Sequence, residues 1–570
     1  MKYVYKQLYK QVVKDKIFLF LLLLLTTLTS LSFFFIMFTI DGNMARLNAL
    51  DTLTENQQLY KNALESNTTL AYTFLVSLIG LSAVVFVMFF YRFYRANKQQ
   101  IGCIKALGYQ DRALQMFFVA FTAILSIVGA LLGLLAGYFL ADIQIRANMQ
   151  NYAVTGLTKE IGVLSLIVGL LVPTAVFGFV AFLCYGFVKN KEVGILLAGN
   201  NMQARFSGTL KLADKISKIA PKNKRFSLRI ALRKPMAVLL LFVAVMSFNV
   251  CLILGQSLHI SSAKVFDTQT DGHNYEYEVQ YKEYQTGDAP EGAMTYLESP
   301  ATFMVGNFVL ERVITGLYDI NNLYELRNES NELLTTPERD KVYINLEFAQ
   351  IYGVKIGDTL EVELAGEMYT FLVEDIAVNA KSKNVYVNGQ QLTEILGIQA
   401  GAYNGVFSTD EMSGDVVTNR EQRSDALNRN AVSNKISAVI NQAVGVLVGA
   451  ILIFLALYIN FQDNTHDILI LHMMGHRTKA IRKMLVDVYL PILWVSFIVT
   501  IVPSILLARS IQHSLSISTD DYMPFGVNVI VVIVAFALVS LIYWAVQATF
   551  SLGVKRIIAK NGQSVSTRFS

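Results

Sequence analysis

Eight stretches of this chain contain no Asp, Glu, Lys or Arg: 17–40, 66–91, 113–141, 161–188, 235–263, 436–462, 488–508 and 522–554. Each reaches the roughly 20 residues that a helix needs to cross the hydrocarbon core of a bilayer. A charge left in that core is costly, so uncharged runs of this length are legible as spans. The expected fold is a polytopic α-helical membrane protein with eight transmembrane helices, at about 17–40, 68–91, 114–140, 162–188, 235–263, 437–461, 488–508 and 527–551. The last span starts near Val527 because loop residues around Pro524 precede it. Composition agrees: 54% of residues are hydrophobic and 16% charged, against roughly 25% charged in soluble domains. The first apolar run is 24 residues long with no clear cleavage site after it, so it is expected to stay as a span.

Lys and Arg set the orientation, because cytoplasmic loops retain positive charge. Segments 1–16, 92–112, 189–234, 463–487 and 555–570 carry 5, 5, 12, 4 and 4 of them, whereas 41–65, 142–160 and 509–521 together carry only five. Both termini are therefore expected in the cytoplasm. Segment 264–435 then lies outside, and it holds 28 acidic and 13 basic residues. The basic cytoplasmic face is matched to anionic lipid headgroups rather than to nucleic acid. Cys103, Cys184 and Cys251 all fall in or beside spans, so disulfides do not hold the exterior segment together.

The chain also repeats itself. At a constant offset of 367 residues Tyr91 meets Tyr458, Asn97 meets Asn464, Ile101 meets Ile468, Gly108 meets Gly475 and Ala113 meets Ala480. Two repeated four-helix units follow, each with a cytoplasmic segment after its second span, Asn97–Leu114 and Asn464–Ile481. In these segments Ile101, Ile104 and Leu107, and likewise Ile468, Leu471 and Met474, recur at helical spacing and end at a glycine suited to a left-handed helix terminus. Asp111 and Thr478 follow as N-cap residues. The pattern predicts a short amphipathic helix, a sharp break at Gly108 or Gly475 and a new helix: a docking knob for a partner. The expected division of the chain is a first unit at 1–188, a basic cytoplasmic linker at 189–234, the fifth span and a stalk at 235–263, an exterior domain at 264–435, spans six to eight within 436–554, and a cytoplasmic tail at 555–570.

The exterior domain is long enough to bury its own core. Tyr275, Tyr277, Val279 and Tyr281 alternate with Glu276, Glu278, Gln280 and Lys282, the period of a half-buried strand. Val342–Leu364 is expected to form strand, short helix, a turn at Lys355–Asp358 and strand, with further strands at Tyr369–Val373 and Asn384–Val387. A small mixed α/β domain results. The polar, proline-free stretch Ser408–Lys435 is expected to be a helical stalk entering span six, and Ser257–Val265 a second stalk leaving span five.

Several chemistries have no signature here. There is no G-x-x-x-x-G-K-[ST] phosphate loop, no H-E-x-x-H zinc pair and no G-x-S-x-G nucleophile turn. The chain is not expected to be an enzyme. His472 and His476 are four apart, but with Gly475 between them and no carboxylate close by they suit a solvated helix surface, and no metal site is expected. The spans also lack the ionisable residues that couple a transporter to protons or sodium. Gly129, Gly133 and Gly137 form a doubled G-x-x-x-G on one face of span three, which suits close helix packing.

IGCIKALGYQDRAL after a span, its echo ILILHMMGHRTKAI, the four-span unit with an exterior insertion after its first helix, and the VKIGDTLEV turn together resemble the FtsX-like permeases of ABC transporters, the superfamily that includes MacB. The resemblance covers nearly the whole chain, most specifically Ile101–Gly108. It implies that Ile101, Ile104, Lys105, Leu107 and Gly108, with Ile468, Leu471, Met474 and Gly475, couple the chain to ATPase subunits. It also implies that ATP and Mg bind to those partners, two per chain, and that nucleotide-driven closure moves the stalks and the exterior domain. The implied setting is a bacterial plasma membrane, and the implied substrate an antimicrobial peptide, a lipoprotein or a cell-wall enzyme. The second knob departs from the pattern, with His472 and Met473 where the first has Lys105 and Ala106, so Gly108→Val is expected to uncouple more than Gly475→Val. Two other classes fit the same residues: a scaffold or sensor that joins an exterior ligand to a cytoplasmic signalling protein, and an autonomous channel.

Overall fold

The computed structural model describes residues 2–566 except positions 15, 51, 153, 288, 289, 464, 486, 520 and 521 and the stretch 198–234, of which only Lys215, Arg225, Leu228 and Leu232 are described. Most of the expected linker thus lies outside the described residues. The helices, in chain order, are α1 (Lys2–Val13), α2 (Lys16–Asn48), α3 (Glu55–Ala96), α4 (Lys98–Ala106), α5 (Asp111–Tyr152), α6 (Val163–Cys184), α7 (Gly186–Lys189), α8 (Val193–Leu197), α9 (Pro235–Thr270), α10 (Leu346–Gln350), α11 (Gly389–Leu396), α12 (Arg420–Asp463), α13 (Thr465–Met473), α14 (Thr478–Leu485), α15 (Tyr489–Thr519) and α16 (Val529–Ser566). Two compact units divide the chain: Met1–Gln256 with Val439–Arg509 and Val527–Ser570, and Ser257–Ala438 with Ser510–Gly526.

In the first unit α2, α3, α5 and α6 pack as a four-helix bundle. Apolar residues surround each helix because a bilayer span has no polar face to present. Thr54 and Gln57 cap each other at the start of α3 and satisfy its first free N–H groups. Aromatic rings fill the bundle, with Phe86 stacked on Phe177 at 4.7 Å. Among the described residues, seven helices are long and apolar enough to cross a membrane. The sixth expected span falls in α12, whose described apolar stretch, Gly445–Tyr458, is shorter.

The glycines of span three seat α5 directly on the backbone of α2. A Cβ at Gly129 would lie 2.0 Å from Thr26 Oγ1, at Gly133 2.8 Å from the Leu31 nitrogen and the Thr27 oxygen, and at Gly137 2.9 Å from the Phe35 nitrogen. The same offset of 367 carries these positions to Ser496, Thr500 and Ser504 in α15, all buried. There Asn249 Nδ2 of α9 donates to Thr500 Oγ1 at 3.5 Å, and Ser504 Oγ donates to the Met246 carbonyl at 3.3 Å. The second repeat thus replaces a glycine seam with a small-hydroxyl seam, the other residue class that lets spans approach closely. This equivalence was open to the sequence reading, since it uses the offset that matched the knobs.

The second unit is a nine-stranded mixed sheet with β1 (Tyr277–Gln285), β2 (Met294–Val305), β3 (Phe308–Leu317), β4 (Lys341–Asn345), β5 (Thr359–Leu364), β6 (Glu367–Ala377), β7 (Asn384–Asn388), β8 (Tyr403–Ser408) and β9 (Val416–Asn419). Its order is β3-β7-β4-β6-β5-β2-β8-β1-β9, and a further β3–β2 pairing closes the first six strands into a barrel. Leu297, Phe303, Ile314, Ile344, Val362 and Val385 fill the interior, with Phe348 of α10 and Leu392 of α11 packed into the same core. A second core beside it is aromatic, built on Tyr275, Tyr296, Tyr324, Tyr386 and Phe407.

Two expectations are corrected. Ser408–Lys435 is not one helix: β9 pairs antiparallel with β1, Tyr277 opposite Asn419, and α12 begins only at Arg420. Asn419 and Gln422 cap one another there, at 2.8 and 3.0 Å, and that pair marked the true start. The alternation along β1 also breaks at Glu278, whose side chain keeps only 11% exposure.

Candidate functional site

Both knobs form as short helices ended by the same turn. In α4, Gly108 N donates to Lys105 O at 3.0 Å and Tyr109 N to Ile104 O at 3.4 Å; after α13, Gly475 N donates to His472 O at 3.0 Å and His476 N to Leu471 O at 3.1 Å. These are the paired bonds of a Schellman ending. Gly108 has φ +84° and Gly475 φ +85°, and a Cβ at either would meet open space. The glycines are required by backbone conformation, not crowding. The two positions match in φ and in free space, so the backbone gives no reason for Gly108→Val and Gly475→Val to differ in conformational cost.

The side chains divide each knob into a root and a tip. Ile101 and Ile468 are fully buried, and Ile104 and Leu471 are half-buried. Leu107 is 74% exposed and Met474, its repeat equivalent, 69%. The Lys105 amine turns inward: its Nζ donates to Lys189 O at 3.0 Å and pairs with Asp111 at 3.1 Å, with 9% side-chain exposure. Gly102 lets α8 pack onto α4, since a Cβ there would lie 2.8 Å from Leu196 Cβ. Asp111, expected as an N-cap, places its carboxylate instead against Lys105 and Tyr185. Above the knobs the two repeats meet at Arg92, whose guanidinium faces the rings of Phe18 and Tyr458 at 5.6 and 5.7 Å.

In the second unit, a buried ionic cluster ties the end of α9 and the start of α12 to the barrel. Lys381 Nζ pairs with Glu278 and lies 4.8 Å from the centre of the Phe407 ring. Glu278 also accepts from Tyr296 at 2.7 Å and Tyr275 at 3.2 Å. Arg423, in the first turn of α12, stacks 3.9 Å over Tyr275 and donates to the Tyr275 and His273 carbonyls. Just past α9, Gly272 has φ +72° and a Cβ there would sit 2.6 Å from Asn379 Nδ2 and Glu325 O, so only glycine fits. Asn379 in turn donates to the Asp271 and Glu325 carbonyls and accepts from Arg327 N.

Burial lowers the Lys381 pKa, but the Glu278 carboxylate, reinforced by the nearby tyrosine hydroxyls and Glu298, outweighs it and holds the amine above the usual lysine range. Burial would raise Glu278; the Lys381 charge and hydrogen bond override it and hold the carboxyl below its ordinary value. His273 donates Nε2–H to the Asn379 carbonyl at 2.8 Å, which fixes the neutral tautomer. Burial, then the Lys381 charge, pulls its pKa down to about 3. The unfolded histidine takes up a proton near pH 6.5 and the folded one does not. Stability of this unit is therefore expected to fall by about 1.4 kcal/mol per pH unit as pH drops from 6.5 toward 3. Hydrogen exchange of the full chain across that range checks it, and His273→Gln should flatten the slope. The alternation marked Tyr275 and Glu278 only as strand residues, and Lys381 lies in the polar run NAKSKN and reads as solvated.

The sequence model of the FtsX-like permease C-terminal family matches residues 72–193 and 442–557. Each half carries an FtsX-like permease domain. The first matched segment shifted by 367 would cover 439–560, so the two FtsX-like segments coincide with the internal repeat. Each contains one knob, and the barrel strands fall between the two segments in the sequence. With its apolar helices, the chain is a multi-pass membrane protein, and in two segments it is similar to the FtsX-like permeases. No curated protein matches the chain.

Proposed function

We propose that this chain is the membrane subunit of an ABC transporter that passes ATP-driven closure of a separate ATPase to its extracytoplasmic barrel. It acts there on an envelope substrate such as an antimicrobial peptide, a lipoprotein or a cell-wall enzyme. In this reading the chain crosses the bacterial plasma membrane eight times, keeps both termini in the cytoplasm and rests its basic face on lipid. ATP and Mg stay on the partner, which occupies both knobs, two copies per chain. The carrying observation is the pair of knobs: the same turn presents an exposed apolar residue, Leu107 or Met474, at the same repeat position. Large apolar side chains at an exposed helix end suit a partner's groove. Helices α9 and α12 contribute residues to both compact units, which supports them as the moving stalks.

Native mass spectrometry of the complex purified from membranes tests this. One permease with two ATPase subunits is expected, and two permeases with two ATPases would overturn the stoichiometry. Leu107→Asp and Met474→Asp, both at exposed positions, are each expected to lose one ATPase copy while the chain stays folded. Full retention by both variants would remove the knobs from the coupling.

A further inference from the structure

The barrel wall formed by β3, β2, β5 and β6 has an outward face unlike an ordinary solvated one. Register places Val309 beside Met304, Met304 beside Glu361 and Glu361 beside Thr370 in one row; Glu311, Thr302, Glu363 and Met368 form the next. Leu372 follows on β6 opposite Thr359. An outer sheet face in water is expected to be polar, yet Val309 is 68% exposed, Met368 51%, Leu372 40% and Met304 39%. Apolar side chains gathered in this way mark interaction surfaces.

The charged residues among them, Glu311, Glu361 and Glu363, all carry one sign. Glu311, Glu361 and Glu363 are exposed, and no ion pair joins them to a cation among the described residues. Lys341, beside Leu372 across β4, is already paired with Glu338 and Glu374. Arg312 turns to the rings of Phe348 and Tyr352. Glu361 and Glu363 are about 7 Å apart along β5, and Glu311 is two strands, about 10 Å, from Glu363. The apolar residues lie between and around these charges. Bare carboxylates around exposed methionines complement a partner that is cationic and amphipathic.

We propose that the outer face of β3, β2, β5 and β6 docks a cationic amphipathic peptide, its Lys or Arg side chains on Glu311, Glu361 and Glu363 and its apolar side chains on Met304, Val309 and Met368. This deepens the reading that the barrel lies outside and meets substrate, but it requires no ATPase. An anionic lipid surface would be repelled by the same carboxylates.

The test uses the full chain in zwitterionic nanodiscs and a short fluorescent peptide alternating Lys and Leu, with its Glu–Leu counterpart, and subtracts binding to protein-free discs. The Lys–Leu peptide is expected to bind and the Glu–Leu peptide not to. Glu361→Lys with Glu363→Lys should weaken binding about tenfold or more, as charge reversal at an interface does. Glu283→Lys with Glu291→Lys makes the same charge change elsewhere on the unit and should leave affinity within about twofold. Met304→Ser with Met368→Ser should weaken binding without altering charge, which keeps the test independent of electrostatics alone. Equal weakening by the Glu283/Glu291 pair, or no weakening by the Glu361/Glu363 pair, overturns the proposal, as does failure of the Lys–Leu peptide to bind. Any such failure leaves ATPase association untouched, and loss of ATPase association leaves this binding untouched, so the two readings fail separately.

Discussion

Replacing Lys381 by methionine is expected to destabilise the barrel unit by about 3–5 kcal/mol, the range for removing one partner of a buried ion pair. Lys381 and Glu278 keep 18% and 11% side-chain exposure, so water cannot rescue the carboxylate left behind. A domain's whole stability is only about 5–15 kcal/mol, so the variant should sit close to unfolding at ambient temperature. Lys381→Met with Glu278→Gln should recover part of the loss, because the stranded charge is gone. Hydrogen exchange over 264–435 in the full chain reads both variants, and unchanged protection in the single variant would contradict the cluster. The pair also responds to acid. Glu278 has a depressed folded pKa, so its contribution is present above the unfolded carboxylate value and drains as pH falls through the folded one. Since Arg423 of α12 and His273 next to α9 sit on the same cluster, the double variant separates two roles. If the joint transmits stalk movement, ATPase activity with the partner should persist while the cellular phenotype is lost.

Gly133→Val should disrupt the first bundle, at a cost of about 3 kcal/mol or misassembly, in the upper range for overpacking. The added carbon would meet the backbone of α2 at 2.8 Å on two sides, and backbone cannot rotate away as a side chain does. Gly80→Val is the matched control: Gly80 also lies inside a span, and a Cβ there meets nothing within 4 Å. Thermal denaturation of the two variants in detergent should show a large fall for Gly133→Val and little change for Gly80→Val. Equal melting temperatures would mean that α5 and α2 do not rest on one another as described. Thr500→Val in α15 should be milder, because that seam is held by a side-chain hydrogen bond, which contributes only about 1 kcal/mol.

Seven of the eight expected spans, the repeat and the knob turns were legible in the sequence because each rests on short-range physics. A run without charges is a statement about solvent, a helix ending at Gly108 or Gly475 is a statement about φ, and a repeat needs only comparison at a fixed offset. The strands around Val342–Leu364 were legible for the same reason, with hydrophobic alternation and a turn inside one local segment. The barrel was not. Its closure depends on β2 pairing with β3 on one side and β5 on the other, and no local pattern names a strand's second neighbour. Val416–Asn419, within the stretch expected as helix, is instead a strand because it pairs with β1, more than a hundred residues earlier in the chain. Lys105 fitted the knob by position, yet its amine is drawn to Asp111 and the Lys189 carbonyl once α7 folds back beside α4. Lys381 shows the limit most directly. A lysine in a polar loop reads as solvated, and only the fold, by setting Glu278 and the rings of Tyr275, Tyr296 and Phe407 around it, makes burial of its charge tolerable.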